Sequence, residues 1–138
     1  MIKLEEVRQT LVSTIQSVHA ANYPTILVNY PNNLVVDIEH QELPFVSVEL
    51  SFDDTPRAAL GEKEILVTGA ARLIYYHREG KGFQGAFSYT DMLNEHLALQ
   101  LTDSIQYDAC QVITIKTFPG WVGEMNSIRF NVVQGLGC

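Results

Sequence analysis

Basic residues are scarce in this sequence: nine Lys and Arg stand against sixteen Asp and Glu, a formal net charge of −7. Binding nucleic acid by phosphate neutralisation needs clustered cations. The short basic groups here, such as Arg78 with Lys81, are interrupted by Glu79, so direct nucleic-acid binding is not expected. Cysteine is scarcer still. Cys110 and Cys138 lie far apart without metal-ligand spacing, which points to free thiols in a reducing compartment rather than to a disulfide. No stretch approaches the roughly 18 apolar residues that a membrane span needs. The opening Met1-Ile2-Lys3-Leu4-Glu5-Glu6 carries acids where a signal peptide would need a basic region and an apolar run. The chain is therefore expected to stay in the cytoplasm where it is made. With no linker, repeat or low-complexity segment, residues 1–138 read as a single domain able to bury one core.

Signatures of chemistry are also missing. His19, His40, His77 and His96 fall on different elements and never in a two-histidine metal spacing such as H-E-x-x-H. His96 lies on the apolar side of an expected helix, where a satisfied core histidine is the better reading than a ligand. Glu39-His40-Gln41-Glu42 resembles an acid–base cluster but sits in a polar connection before Pro44, so a solvated turn is favoured over a pocket that would shift its pKa values. Neither cysteine has an activating context, and no nucleophile-elbow or P-loop pattern occurs. Neither an enzyme nor a cofactor or metal site is expected.

What is present centres on Glu62 to Leu101. Ile65 to Tyr76 is apolar or β-branched with charge only at Arg72, and one parity (Ile65, Val67, Gly69, Ala71, Leu73, Tyr75) is the cleaner apolar face of a strand. Such a strand spans roughly 40 Å at about 3.3 Å per residue, as wide as a domain of this length. Either Gly69-Ala70-Ala71 bends it at a bulge, or its ends project. A helix is expected from Ser88, with a near capping box in Ser88-Tyr89-Thr90-Asp91 and a stripe of Tyr89, Met92, Leu93, His96, Leu97, Gln100 and Leu101, closing at Thr102-Asp103-Ser104. Between them Gly80-Lys81-Gly82-Phe83-Gln84-Gly85 fits G-x-G-x-x-G. The dinucleotide reading fails on context, because the helix should open inside the motif and a parallel strand with an acidic end should follow. A surface loop is the reading taken.

The remainder alternates simply. Lys3 to Ala21 is an amphipathic helix on Leu4, Val7, Leu11, Ile15 and Val18, ended by Asn22 as a left-handed cap and by Pro24. Thr25 to Asn29 is a short strand closed by Tyr30-Pro31-Asn32-Asn33, Leu34 to Ile38 has an extended pattern, and Phe45 to Phe52 alternates with Val46, Val48, Leu50 and Phe52 on one side. A polar connection from Asp53 to Glu62 is long for a hairpin. Cys110 to Phe118 and Ser127 to Val133 supply closing strands around Pro119-Gly120, with Ile128, Phe130 and Val132 inward. The fold class is α+β: a mixed or mainly antiparallel sheet of about four to five strands, order α-β-β-β-α-β-β, with both helices on one face. Phe83 and Phe87, in the glycine-flanked region, are candidate anchors for a protein partner.

The series Tyr23-Pro24-Thr25-Ile26-Leu27-Val28-Asn29-Tyr30-Pro31-Asn32-Asn33, then Leu43-Pro44-Phe45-Val46-Ser47-Val48-Glu49-Leu50, the loop ending Leu60-Gly61, the long strand, the Gly-Lys-Gly loop and the closing helix and strands resemble the tail terminator (minor tail protein U-like) family of long-tailed bacteriophages over nearly the whole chain. The resemblance implies a homo-oligomeric ring, typically a hexamer, at the head-proximal end of the tail tube. Such a ring ends tube polymerisation and joins tail tube protein to the head–tail connector protein. It implies a virion protein assembled in the bacterial cytoplasm, without catalytic residues. On that reading Asp53, Asp54, Arg57, Glu62 and Lys63 in one loop and Arg78, Lys81 and Phe83 in the other are the expected contacts to neighbours or tube, and the acidic charge suits a channel that DNA crosses if carboxylates line its lumen. The rival readings are another phage neck or tail-completion protein, and a small-ligand-binding or enzymatic α+β domain.

Overall fold

Hydrophobic periodicity sets most of the architecture in the computed structural model, which describes residues 4–31, 36–38, 40–53, 57–58, 64–80, 84–102, 105–116 and 118–135. The elements run α1 (Leu4–Asn22), β1 (Leu27–Asn29), β2 (Phe45–Phe52), β3 (Arg57–Ala58), β4 (Glu64–Arg78), α2 (Gln84–His96), β5 (Leu101–Thr102), β6 (Ile105–Ile115) and β7 (Trp121–Gly135). The class is α+β. The five longer strands keep the expected order, and the two-residue strands β3 and β5 are additional. The described parts of the Leu34–Ile38 stretch, residues 36–38, are not strand.

α1 buries Val7, Leu11, Ile15 and, one turn further, His19. This is the four-residue recurrence of a helix with one covered face. Glu5 and Glu6 in its first turn suit the helix dipole. Asn22 is not a left-handed cap, since Leu99 is the one non-glycine residue with positive φ among those described. Asn22 stays helical because its side-chain amide donates to the Val18 carbonyl at 2.8 Å, and Tyr23 and Pro24 then turn the chain into β1.

The sheet order is β1-β2-β4-β7-β6-β5, with β3 beside β4. β1 runs parallel to β2 and every other pairing is antiparallel. β4 and β7 pair without interruption from Glu64 opposite Gly135 to Arg78 opposite Trp121. No bulge therefore relieves the length of β4 at Gly69. The irregularity lies in β6 instead, between Tyr107 and Cys110. Gly69 serves a close approach: a Cβ there would overlap the Ser51 carbonyl oxygen and stand 2.7 Å from the Phe130 ring.

One face of the sheet carries both helices. Val46 and Val48, Val67, Ala71, Leu73 and Tyr75, Ile128, Phe130 and Val132 join Val7, Leu11 and Ile15 of α1 and Ala86, Tyr89, Met92 and Leu93 of α2 in one cluster. The opposite face has a smaller core near the Arg78 end, where Phe45, Ile74, Tyr76 and Trp121 meet. Phe45 stacks on Tyr76 at 4.9 Å and takes the Trp121 ring edge-on at 5.1 Å. Burying a side chain such as Phe45 contributes about 1.5–3 kcal/mol.

α2 differs from expectation at both ends. It opens at Gln84 rather than Ser88, because Ala86 is buried and the bare Gly85 lets the first turn lie against the Tyr75 hydroxyl, 2.7 Å from where a Cβ would be. It closes at His96. Ala98 N–H donates back to the Leu93 carbonyl at 2.8 Å, and Leu99 at φ 61° reverses the chain. His96 is consequently exposed rather than a core histidine, and Leu101 belongs to β5 rather than to the helix stripe. The helix does open inside the glycine motif, so the first objection to a dinucleotide loop falls. The second is decisive, since β4 has antiparallel neighbours on both sides and no parallel crossover follows it.

Candidate assembly interface

The two loops singled out from the sequence lie at opposite ends of β4. Arg57 sits in β3 opposite Leu66, and Leu66 and Arg78 are separated by roughly 40 Å of strand at about 3.3 Å per residue. Asp54, Glu62, Lys63, Lys81 and Phe83 lie outside the described residues. Asp53 has partners within its own chain: its carboxylate accepts from the Thr68 hydroxyl and from Arg129 Nη2 at 3.0 Å, tying the end of β2 to β4 and β7. Arg78 is held too. Its guanidinium lies 4.3 Å from the Trp121 ring centroid, and Nη2 donates to the Gln41 carbonyl at 2.7 Å. Of these residues the described ones, Asp53 and Arg57 near one end of β4 and Arg78 at the other, do not share one patch.

Among the described residues, six of the eight exposed large apolar side chains lie at or beside the two margins of the sheet, whereas Leu4 of α1, expected in its buried stripe, and Phe87 of α2 lie on the helices. At the β5–β6 margin Leu99 and Leu101 are each 74% exposed, and Val112 and Ile113 are 41% and 53% exposed. β5 covers only the start of β6, at Gln106 and Ile105, and no described strand pairs with the outer side of Gln111 to Ile115. An open edge of this kind offers unpaired backbone groups to another chain. At the opposite margin Leu27 of β1 is 44% exposed, and Leu43 in the segment before β2 is 73% exposed. Phe87, the described member of the expected aromatic pair, also faces solvent.

Concavities accompany the β1 margin. A hollow of ≈ 240 Å³ opens where the C-terminal turn of α1 meets β1, lined among the described residues by Gln16, His19, Ala20, Tyr23, Leu27 and Tyr30 with neighbours. A second, ≈ 580 Å³, lies among Glu42, Leu43, Pro44, His77 and Arg78.

Behind the first hollow is a polar contact that the histidine pattern did not reveal. His19 Nδ1–H donates to the Ile15 carbonyl at 2.8 Å, which leaves Nε2 to accept from the Tyr89 hydroxyl at 2.7 Å. Burial lowers the His19 pKa below the usual histidine range, partly offset by the Ile15 bond. Burial also pushes the Tyr89 phenol well above its usual value. Both groups are thus uncharged and bind α1 to α2. Under β6, Asn126 is fully buried. It accepts from Thr90 at 2.6 Å and from the Cys110 thiol at 3.6 Å, and donates to the Leu73 and Glu124 carbonyls. Desolvation raises the Cys110 thiol to about 11, so it is protonated and a poor nucleophile. Glu39 lies outside the described residues; of the rest of that segment, His40 pairs at the surface with Asp37 at 2.8 Å. Among the described residues no group of three His, Cys, Asp or Glu is placed to hold a metal, and no helix is long and apolar enough to cross a membrane.

No model of a known protein family matches the sequence, and no curated protein matches it. Solved structures do match. One whose title carries no functional description aligns over 97% of this chain and 97% of its own, with a TM-score of 0.65 at 12% identity. This chain is similar to it in fold.

Proposed function

We propose that this chain is the subunit of a ring that caps the head-proximal end of a phage tail tube, ends tube polymerisation and provides the surface for head–tail joining. The observation that carries the reading is the placement of exposed apolar side chains on both margins of one sheet, Leu99, Leu101, Val112 and Ile113 on one and Leu27 on the other. A copy with two different sticky margins binds head to tail, and head-to-tail contacts form a ring when the rotation between copies closes. The sequence resemblance to tail terminators supplies the biological setting, with about six copies in the ring. An excess of carboxylates suits a passage that DNA crosses without adhering.

The test is to add the purified chain to polymerising tail tube protein and score tube length and ends by negative-stain microscopy. Shorter tubes with a ring on one end are expected. Tubes of unchanged length with bare ends contradict the reading. Bare tube ends together with binding to connector protein transfer the chain to the neck or tail-completion class.

A further inference from the structure

We propose that the ≈ 580 Å³ cavity among Glu42, Leu43, Pro44, His77 and Arg78 binds a small zwitterion with an aliphatic body, its carboxylate on Arg78 and its ammonium on Glu42. The inference goes beyond tube capping and does not depend on it.

Arg78 is the first reason. It is the last residue of β4, and its guanidinium is fixed from several sides. The Trp121 ring centroid lies 4.3 Å away, and Nη2 donates to the Gln41 carbonyl at 2.7 Å. Gly120, at φ 81°, leaves Nη1 clear, since a Cβ there would stand 3.4 Å from it. Among the described residues nothing accepts from Nε or Nη1. A guanidinium already immobilised, with donors to spare, meets a carboxylate at little ordering cost and through charge-assisted hydrogen bonds.

The second reason is a pair of unmatched charges. Beside Arg78, Glu79 pairs with Lys116 at 3.8 Å, and near Glu42, Asp37 pairs with His40 at 2.8 Å. Among the described residues no ion pair joins Glu42 to Arg78, or either of them to another group. Opposite charges therefore line one cavity without meeting. A simple anion would satisfy Arg78 and stand beside the Glu42 carboxylate, and a simple cation would face the reverse problem. A zwitterion satisfies both and adds no net charge to a chain of −7.

The rest of the lining sets the body of the ligand. Leu43 is 73% exposed, with Pro44 next to it, and the described lining offers no hydroxyl or amide side chain of the kind a sugar needs. His77, buried, donates from Nδ1 to the Arg78 carbonyl at 3.2 Å and so holds the end of the strand. The volume falls within the range of about 300–1,000 Å³ typical of small-molecule sites.

The test reads the fluorescence and the indole N–H resonance of Trp121, the one tryptophan of the chain, which lies against Arg78. Leucine is the probe, beside 4-methylpentanoate, which lacks the ammonium, and 3-methylbutylamine, which lacks the carboxylate. Leucine is expected to give a saturable change with a Kd at or below about 1 mM. Each analogue is expected to bind more weakly by about tenfold or more, the loss of one hydrogen bond to a charged group. Glu42 and Leu43 are exposed, so Glu42→Gln and Leu43→Asp are expected to fold, as read by circular dichroism. Glu42→Gln is expected to hold leucine and 4-methylpentanoate equally, and Leu43→Asp to weaken leucine by about tenfold. A merely structural Glu42 would leave the advantage of leucine unchanged, and that result overturns the proposal. So does a flat titration of the wild type with leucine to about 10 mM, as do analogues that bind as tightly as leucine. The tube assay separates the two readings. Leucine binding by a chain that leaves tubes bare keeps this site and removes the cap, whereas capped tubes with a flat titration remove the site alone.

Discussion

His19 shows how much one side chain can carry in this chain. Its position completes the α1 stripe at a four-residue step after Ile15, and its hydrogen bond to Tyr89 joins the two helices. Tyr89→Phe keeps the ring contacts with Tyr23 and Tyr75 but leaves a buried acceptor on His19 without its donor. The expected loss is about 1–3 kcal/mol in urea denaturation. The same residue sets a pH dependence. Folded His19 holds its proton more weakly than the unfolded chain does, so the unfolded state gains protons first as pH falls below about 6.5. Stability from this group is whole above that value and declines as pH drops toward the folded pKa. The wild type is therefore expected to lose stability between about pH 7 and pH 5 more steeply than His19→Gln. Equal slopes in denaturation at the two pH values would contradict this. The sequence pattern showed His19 only as an isolated histidine, because its partner is 70 residues away.

At the scale of elements, period-two and period-four patterns were enough to place α1, β2 and the inward parity of β4. β2 was legible to the residue, since Val46 and Val48 alternate with polar positions and one face is buried. The ends of α2 and the first half of β7 were not. Gln84 to Phe87 carries no start signal, and what makes it helical is Ala86 packing into the core. In β7, Glu124 and Asn126 are polar yet 2% and 0% exposed, because Thr114, Thr90 and the Leu73 carbonyl pair with them. Tertiary hydrogen bonds leave no periodic trace. The apolar margin was hidden for a related reason: Leu101 falls on the α2 stripe by periodicity, whereas the reversal at Leu99 puts it in solvent. Adjacent Val112 and Ile113, apolar on both faces of one strand, were the available signal. The close β2–β4 approach yields its own expectation. Gly69→Ala forces a methyl group onto the Ser51 carbonyl and the Phe130 ring, and a loss of about 2 kcal/mol or more, read as a lower urea midpoint, is expected from such overpacking. Wild-type stability of that variant would show that the strands can separate there without cost.

The whole molecule combines two opposite apolar margins with a strongly acidic composition. Copies of net charge −7 repel one another over a screening length of about 10 Å at 0.1 M salt and about 3 Å at 1 M, while apolar contact does not depend on that screening. Self-association is therefore expected to tighten as salt rises from about 0.05 M to about 0.5 M, as measured by sedimentation. Weakening would point instead to an interface built on ion pairs such as the sequence loops suggested. The most direct test of the central claim is native mass by light scattering on a size-exclusion column, at moderate salt and across a range of concentrations. A single discrete species of about six chain masses, with closed rings in negative stain, is the expected result. A chain that remains monomeric to about 1 mM, and that also leaves tail tubes uncapped, would contradict the claim.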